Sequence, residues 1–188
     1  MQFVGGIANK SVIETHLFYR NLMDDIYSTY HTVQPTETPF PFTDVPESRW
    51  SYPYIKELYE AGVVSGTTAT TFEPTGSVTR AQFVLMLWRM CGKPAAAKAA
   101  SFADASADWY QDALSWAVEK GYVNGLSDTR FGPDAPITRQ QAMAILFRLN
   151  GGQSGTELTL TGIYEQTFAD STTIASWAKD ATWWAVYH

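Results

Sequence analysis

The sequence predicts a mainly α-helical fold built from tandem helix–loop–helix repeats, and three observations predict it. The chain matches itself at a fixed offset. Apolar residues recur at helical spacing within each copy. A Thr-x-x-Gln start and a Gly stop fall at corresponding places in both complete copies. Repeat units of this kind leave apolar surface that only neighbouring copies cover, so the copies are expected to stack.

The offset is 59 residues: Trp50, Gly62, Gly66, Phe72, Pro74 and Thr79-Arg80-x-Gln82 recur as Trp109, Gly121, Gly125, Phe131, Pro133 and Thr138-Arg139-x-Gln141. A third copy opens with Phe168-Ala169-Asp170 and continues to Trp177 and Trp184, which match Trp109 and Trp116. It reaches His188 with its first helix and without the loop and second helix of the others. The expected organisation is an N-terminal segment over 1–39, repeats over 40–98 and 99–158, and a partial repeat over 159–188.

Within the N-terminal segment, Ile13, Leu17, Leu22 and Ile26 lie near one face of a helix expected over Val12 to Tyr30. In a cyclic arrangement that helix would cover the third copy. Pro35-Thr36-Glu37-Thr38-Pro39 reads as a stiff spacer. In each complete copy the first helix covers about Ser51 to Ala61 or Tyr110 to Lys120. Ile55, Leu58 and Tyr59 share one face, as do Leu114, Ala117 and Val118. Gly62 and Gly121 are the expected stops. A Thr-, Gly- and Pro-rich loop follows, then a second helix starting at Thr79 or Thr138 that is apolar nearly all round and therefore buried. The connectors Lys93 to Ala100 and Gly151 to Gly155 read as loose or exposed.

Composition bounds the function. Of 188 residues, 45% are hydrophobic and the net charge is −6, so the chain buries a core and has no overall field to draw in nucleic acid. No apolar run approaches the roughly 18 residues of a membrane helix. The first residues lack the basic and apolar regions of a secretory signal. The lone Cys91 makes no internal disulfide and reads as a small buried residue at a helix end. His16, His31 and His188 have no metal-ligand spacing, and Asp104, Asp108 and Asp112 straddle a helix start without the pattern of a calcium loop. No nucleophile or phosphate-loop motif occurs, so neither catalysis nor a cofactor is expected.

Thr79 with Gln82, and Thr138 with Gln141, form capping boxes, which account for the Thr and the Gln. The Arg between them is not accounted for. Arg80 and Arg139 stand at the first helical position, where the helix dipole disfavours a cation by about 0.3–1 kcal/mol. A bound anion would compensate, because free amides and a forked guanidinium both favour a carboxylate or phosphate. The alternative is pairing with Asp44 or Asp104 of a neighbouring copy. Trp50, Trp109 and Trp177 recur at first-helix starts, either packed between copies or stacked on sugar. Gly66 and Gly125 suit a tight turn or close backbone approach to a ligand.

Phe42-Thr43-Asp44-Val45-Pro46, Gly62-Val63-Val64-Ser65-Gly66 and Val78-Thr79-Arg80-Ala81-Gln82, with their second-copy counterparts, resemble the S-layer homology repeat over about residues 40 to 188. The resemblance implies a pseudo-threefold helical spindle at the cell surface, without enzymatic activity. It implies inter-repeat grooves binding a secondary cell-wall polysaccharide, often through the carboxylate of a pyruvyl ketal. The family's motif Arg maps onto Arg80 and Arg139, its helix-start Trp onto Trp50, Trp109 and Trp177, and its loop Gly onto Gly66 and Gly125. Two departures stand out: Gln82 and Gln141 replace the usual Glu, and the third copy lacks its loop and Thr-Arg motif. The competing expectation is a structural module that self-associates through protein contacts, without glycan.

Overall fold

The computed structural model describes residues 39–152 and 168–187. The helix expected over residues 12–30, and its proposed cover of the third copy, lie outside the described residues. The described residues are mainly α-helical, with five α-helices, two short 3-10 turns and no sheet. The chain divides into two compact units, one ending at Glu73 and the other beginning at Pro74. That boundary cuts the first sequence repeat between its two helices.

In the first unit, α1 runs Tyr52–Glu60, with Pro53 in its first turn, where a missing N–H costs nothing. It ends as expected at Gly62, which sits at φ 68° in the left-handed region. The Gly62 amide donates to Tyr59 O at 2.9 Å and the Val63 amide to Leu58 O at 2.9 Å, closing the helix end. The small core is aromatic: Phe42 stands 5.0 Å from Tyr59 and 5.4 Å from Phe72, centroid to centroid. Asp44 fixes the following loop by accepting from the Phe72 amide at 2.9 Å and the Glu73 amide at 2.7 Å.

The second unit contains α2 (Arg80–Met90), α3 (Asp108–Glu119), α4 (Arg139–Leu149) and α5 (Lys179–Tyr187). α2 packs on α3, and α4 packs on α5. The second helix of each copy therefore pairs with the first helix of the next copy. Apolar pattern explains it: α2 buries Ala81, Val84 and Leu87, and α3 buries Tyr110, Ala113, Leu114 and Trp116 against them. α3 ends as α1 does, at Gly121 with φ 71°.

The connector over 93–100, expected to be loose or exposed, is largely exposed and is held at its ends by hydrogen bonds. Trp88 Nε1 donates to Pro94 O at 2.8 Å, and the Ala100 amide donates to Ser115 Oγ at 2.9 Å. Cys91 differs from expectation. It lies one residue beyond α2, where the chain turns away from the core, and it is exposed.

Candidate functional site

Both capping boxes form. Thr79 N donates to Gln82 Oε1 at 2.9 Å and Gln82 N to Thr79 Oγ1 at 3.2 Å; the Thr138 and Gln141 pair repeats this at 3.0 and 3.3 Å. The two arginines inside those boxes then diverge.

Arg80 is 5% exposed. Its side chain leaves the helix start and enters the loop of the second copy. Nε donates to Phe131 O at 2.9 Å and Nη2 to Asn124 O at 2.9 Å. The guanidinium carbon stands 4.7 Å from the centroid of the Phe131 ring, itself 0% exposed, so the cation lies on an aromatic face. The helix amides that an anion would use are taken: Arg80 N donates to Ala135 O at 2.9 Å and Ala81 N to Pro133 O at 3.0 Å. Loop carbonyls thus occupy the amides of this helix start and compensate the dipole there, which leaves the guanidinium, not the amides, as the group an anion would meet.

The pairing of Arg80 with Asp104 is not formed either. The Asp104 carboxylate accepts from the Phe131 amide at 2.8 Å and the Gly132 amide at 2.9 Å, the same loop clamp that Asp44 makes in the first unit. Those amides, the Phe131 bond foremost, hold the Asp104 carboxyl below its ordinary value. Arg80 makes no ion pair among the described residues. Burial pulls its guanidinium below the ordinary value, and the Asp104 charge works in the opposite direction. Nη1 has no hydrogen-bond partner among the described residues.

Arg80 lines a groove of about 330 Å³ with Gly125 and Trp177, together with Asn124, Gln141 and Arg148. Three of the residues singled out in the sequence meet here, one from each copy. Gly125 is required by close packing: a Cβ there would lie 2.3 Å from Ser127 O, 2.6 Å from Phe102 Cε1 and 2.8 Å from Arg130 O. Gly66 is confined in the same way by Phe42 and by the carbonyls of Thr68 and Thr71. Trp177 is 47% exposed, which leaves much of its indole free for a flat ligand face. Ala144 and Ile145 also line the groove, and none of its described lining residues carries a carboxylate.

The remaining candidates lie elsewhere. Arg139 is exposed and lines a second cavity of about 310 Å³ with Phe168, Asp170 and Thr182. Trp109 is exposed at the start of α3 and lines neither cavity. Trp50 and Gly66 belong to the first unit, where Trp50 is 79% exposed, so its packing between copies is not seen there. No cluster of His, Cys, Asp or Glu suited to a metal occurs among the described residues. Sequence reasoning missed Arg148 as a groove residue. Its signal was available, since Arg89 and Arg148 also stand 59 residues apart.

The S-layer homology domain family matches residues 41–84 and 101–143. The chain belongs to the S-layer homology family. These repeats are 41% identical over 151 residues to an endoglucanase of Bacillus sp. strain KSM-635, a match covering 80% of this chain and 16% of that protein. The surface-layer 125 kDa protein of Lysinibacillus sphaericus is 33% identical over 129 residues, which is 66% of this chain and 10% of that protein. The cellulosome-anchoring protein of Acetivibrio thermocellus is 28% identical over 155 residues, 78% of this chain and 33% of that protein. The chain thus spans a third or less of each of these relatives, and the enzyme among them is matched over the repeat region. No helix among the described residues is long and apolar enough to cross a membrane.

Proposed function

We propose that the chain is a non-catalytic cell-surface anchoring module, and that the groove of Arg80, Gly125 and Trp177 binds an anionic, pyruvylated secondary cell-wall polysaccharide. One observation carries the reading: a guanidinium that is almost wholly buried, forms no ion pair among the described residues, has Nη1 without a hydrogen-bond partner, and lines a groove with an exposed indole. A buried charge without a counter-ion is costly, and a ligand carboxylate in the groove supplies one. A pyruvyl ketal places such a carboxylate on a sugar, whose flat face suits Trp177. Relatives that include a surface-layer protein and a cellulosome-anchoring protein support the surface location.

The structural reading has its own support, because Arg80 holds two loop carbonyls. It predicts assembly without glycan. Cosedimentation with Gram-positive cell walls, before and after removal of the secondary polymer, separates the two. Wild type should pellet only with intact walls, and Trp177→Ala and Arg80→Lys should stay in solution while remaining folded. If wild type ignores the walls, or pellets equally with stripped walls, polysaccharide binding fails. If both variants pellet as wild type does, the groove is the wrong place.

A further inference from the structure

Resting on that groove reading, we infer that Arg148 is a second anion-binding residue, and that the groove takes a saccharide epitope carrying negative charge at two points. Arg148 lies near the end of α4 and is half-buried in the wall of the same groove as Arg80. Its single hydrogen bond among the described residues runs from Nη1 to Tyr122 O at 3.2 Å, just before the Val123–Gly125 wall. A guanidinium has about five N–H donors, so most of the Arg148 fork is uncommitted. Arg148 makes no ion pair among the described residues.

The composition of the lining decides what such a groove would hold. Among the described residues it includes two guanidinium groups and no Asp or Glu, in a chain whose net charge is −6. Like charges lining one cleft raise each other's free energy unless an opposite charge enters. Gln141 adds a donor, because its Oε1 is used by Thr138 N and its amide nitrogen is the free end. Arg80, Arg148 and Gln141 line one cleft, and each keeps donor nitrogens that bond nothing among the described residues. One carboxylate satisfies one fork. A second acidic group on the same repeating unit satisfies the other.

The test is calorimetric titration with two probes. One is the purified secondary wall polymer cut to single repeating units. The other is a methyl glycoside carrying one pyruvyl ketal and no other charge. Arg148→Gln should weaken binding of the repeating unit at least about tenfold, equivalent to about 1.4 kcal/mol. It should change binding of the glycoside by less than about twofold, a spread that leaves the single-charge contact intact. Arg148→Lys should restore most of the loss.

Wild-type binding read against sodium chloride gives the same answer without a variant, should Arg148→Gln fail to fold. Affinity for the repeating unit should fall more steeply with salt than affinity for the glycoside. If wild type binds the repeating unit and Arg148→Gln binds it equally well, the role of Arg148 is overturned and the groove reading stands. Equal salt slopes, or equal losses for both probes, overturn the two-charge epitope. If wild type binds neither probe, the groove reading itself fails.

Discussion

Replacing Arg80 and Arg139 one at a time by methionine separates two residues that occupy the same place in the repeat. Met keeps an unbranched stem of similar reach and removes the guanidinium. At Arg80 two charge-assisted hydrogen bonds are lost, to Phe131 O and Asn124 O, each worth about 1.5–3 kcal/mol. The contact over the Phe131 ring is lost as well, worth about 0.5–2 kcal/mol. Against this, removing a buried cation with no carboxylate partner relieves a desolvation cost of several kcal/mol, reduced because Arg80 lines the groove. The bonds outweigh the relief, since two carbonyls are left without donors, and a net loss of about 2 kcal/mol is expected. Arg139 is exposed, makes no comparable bonds, and should change stability by less than about 0.5 kcal/mol. Urea unfolding at neutral pH, followed by tryptophan fluorescence, measures both. Equal losses for the two variants, or an Arg80→Met protein as stable as wild type, would refute the view that this side chain holds the second-copy loop.

Other outcomes follow from the same geometry. Gly125→Ala should cost about 1–3 kcal/mol, because its Cβ meets two backbone carbonyls that cannot swing aside; thermal melting checks it. Thr79→Ala and Thr138→Ala should each cost about 0.5–2 kcal/mol, and by similar amounts, since the two boxes share one geometry. Asp104 has a folded-state carboxyl held below its ordinary 3.8, so its contribution is present above that pH and lost as pH falls through the lower folded value. Asp104→Asn should therefore lower the melting temperature at neutral pH and flatten its fall below about pH 4, the range where an ordinary carboxylate titrates.

Periodic local chemistry was legible in the sequence, while partner choice across copies was not. Capping at Thr79 and Thr138, and the stops at Gly62 and Gly121, depend on a few consecutive residues, so they were readable from spacing alone. The Arg of the motif was recognised as anomalous, and the anomaly was real. Its resolution lay 51 residues away at Phe131, where a loop carbonyl rather than a free anion accepts from Nε. Asp44 and Asp104 were offered as ion-pair partners for that Arg, but they clamp backbone amides instead. Nothing within a local window marks such a contact, because it depends on the second helix of one copy packing against the first helix of the next. Cys91 was expected to be buried as a small hydrophobe at a helix end, but it sits one residue past the end of the packed helix and is exposed.

The way the groove is assembled explains how a side chain can hold the fold together and still face a ligand. Arg80 comes from the first copy, Gly125 from the second and Trp177 from the third, so the groove forms only when the copies are stacked. The two bonded nitrogens of Arg80 fix the loop that carries Gly125, and the remaining nitrogen is left without a partner among the described residues. A guanidinium anchored at two points loses little further freedom on meeting a carboxylate, which favours binding through lower ordering cost. Arg139, at the same place in its own copy, is exposed and lines a separate cavity whose lining already includes a carboxylate, that of Asp170. The set Arg80, Gly125 and Trp177 is therefore the one to alter first, and effects of Arg139 substitution on wall binding should be smaller than those of Arg80→Lys. Cosedimentation of Arg139→Lys beside Arg80→Lys decides this, and equal loss of binding in both would overturn the one-from-each-copy rule.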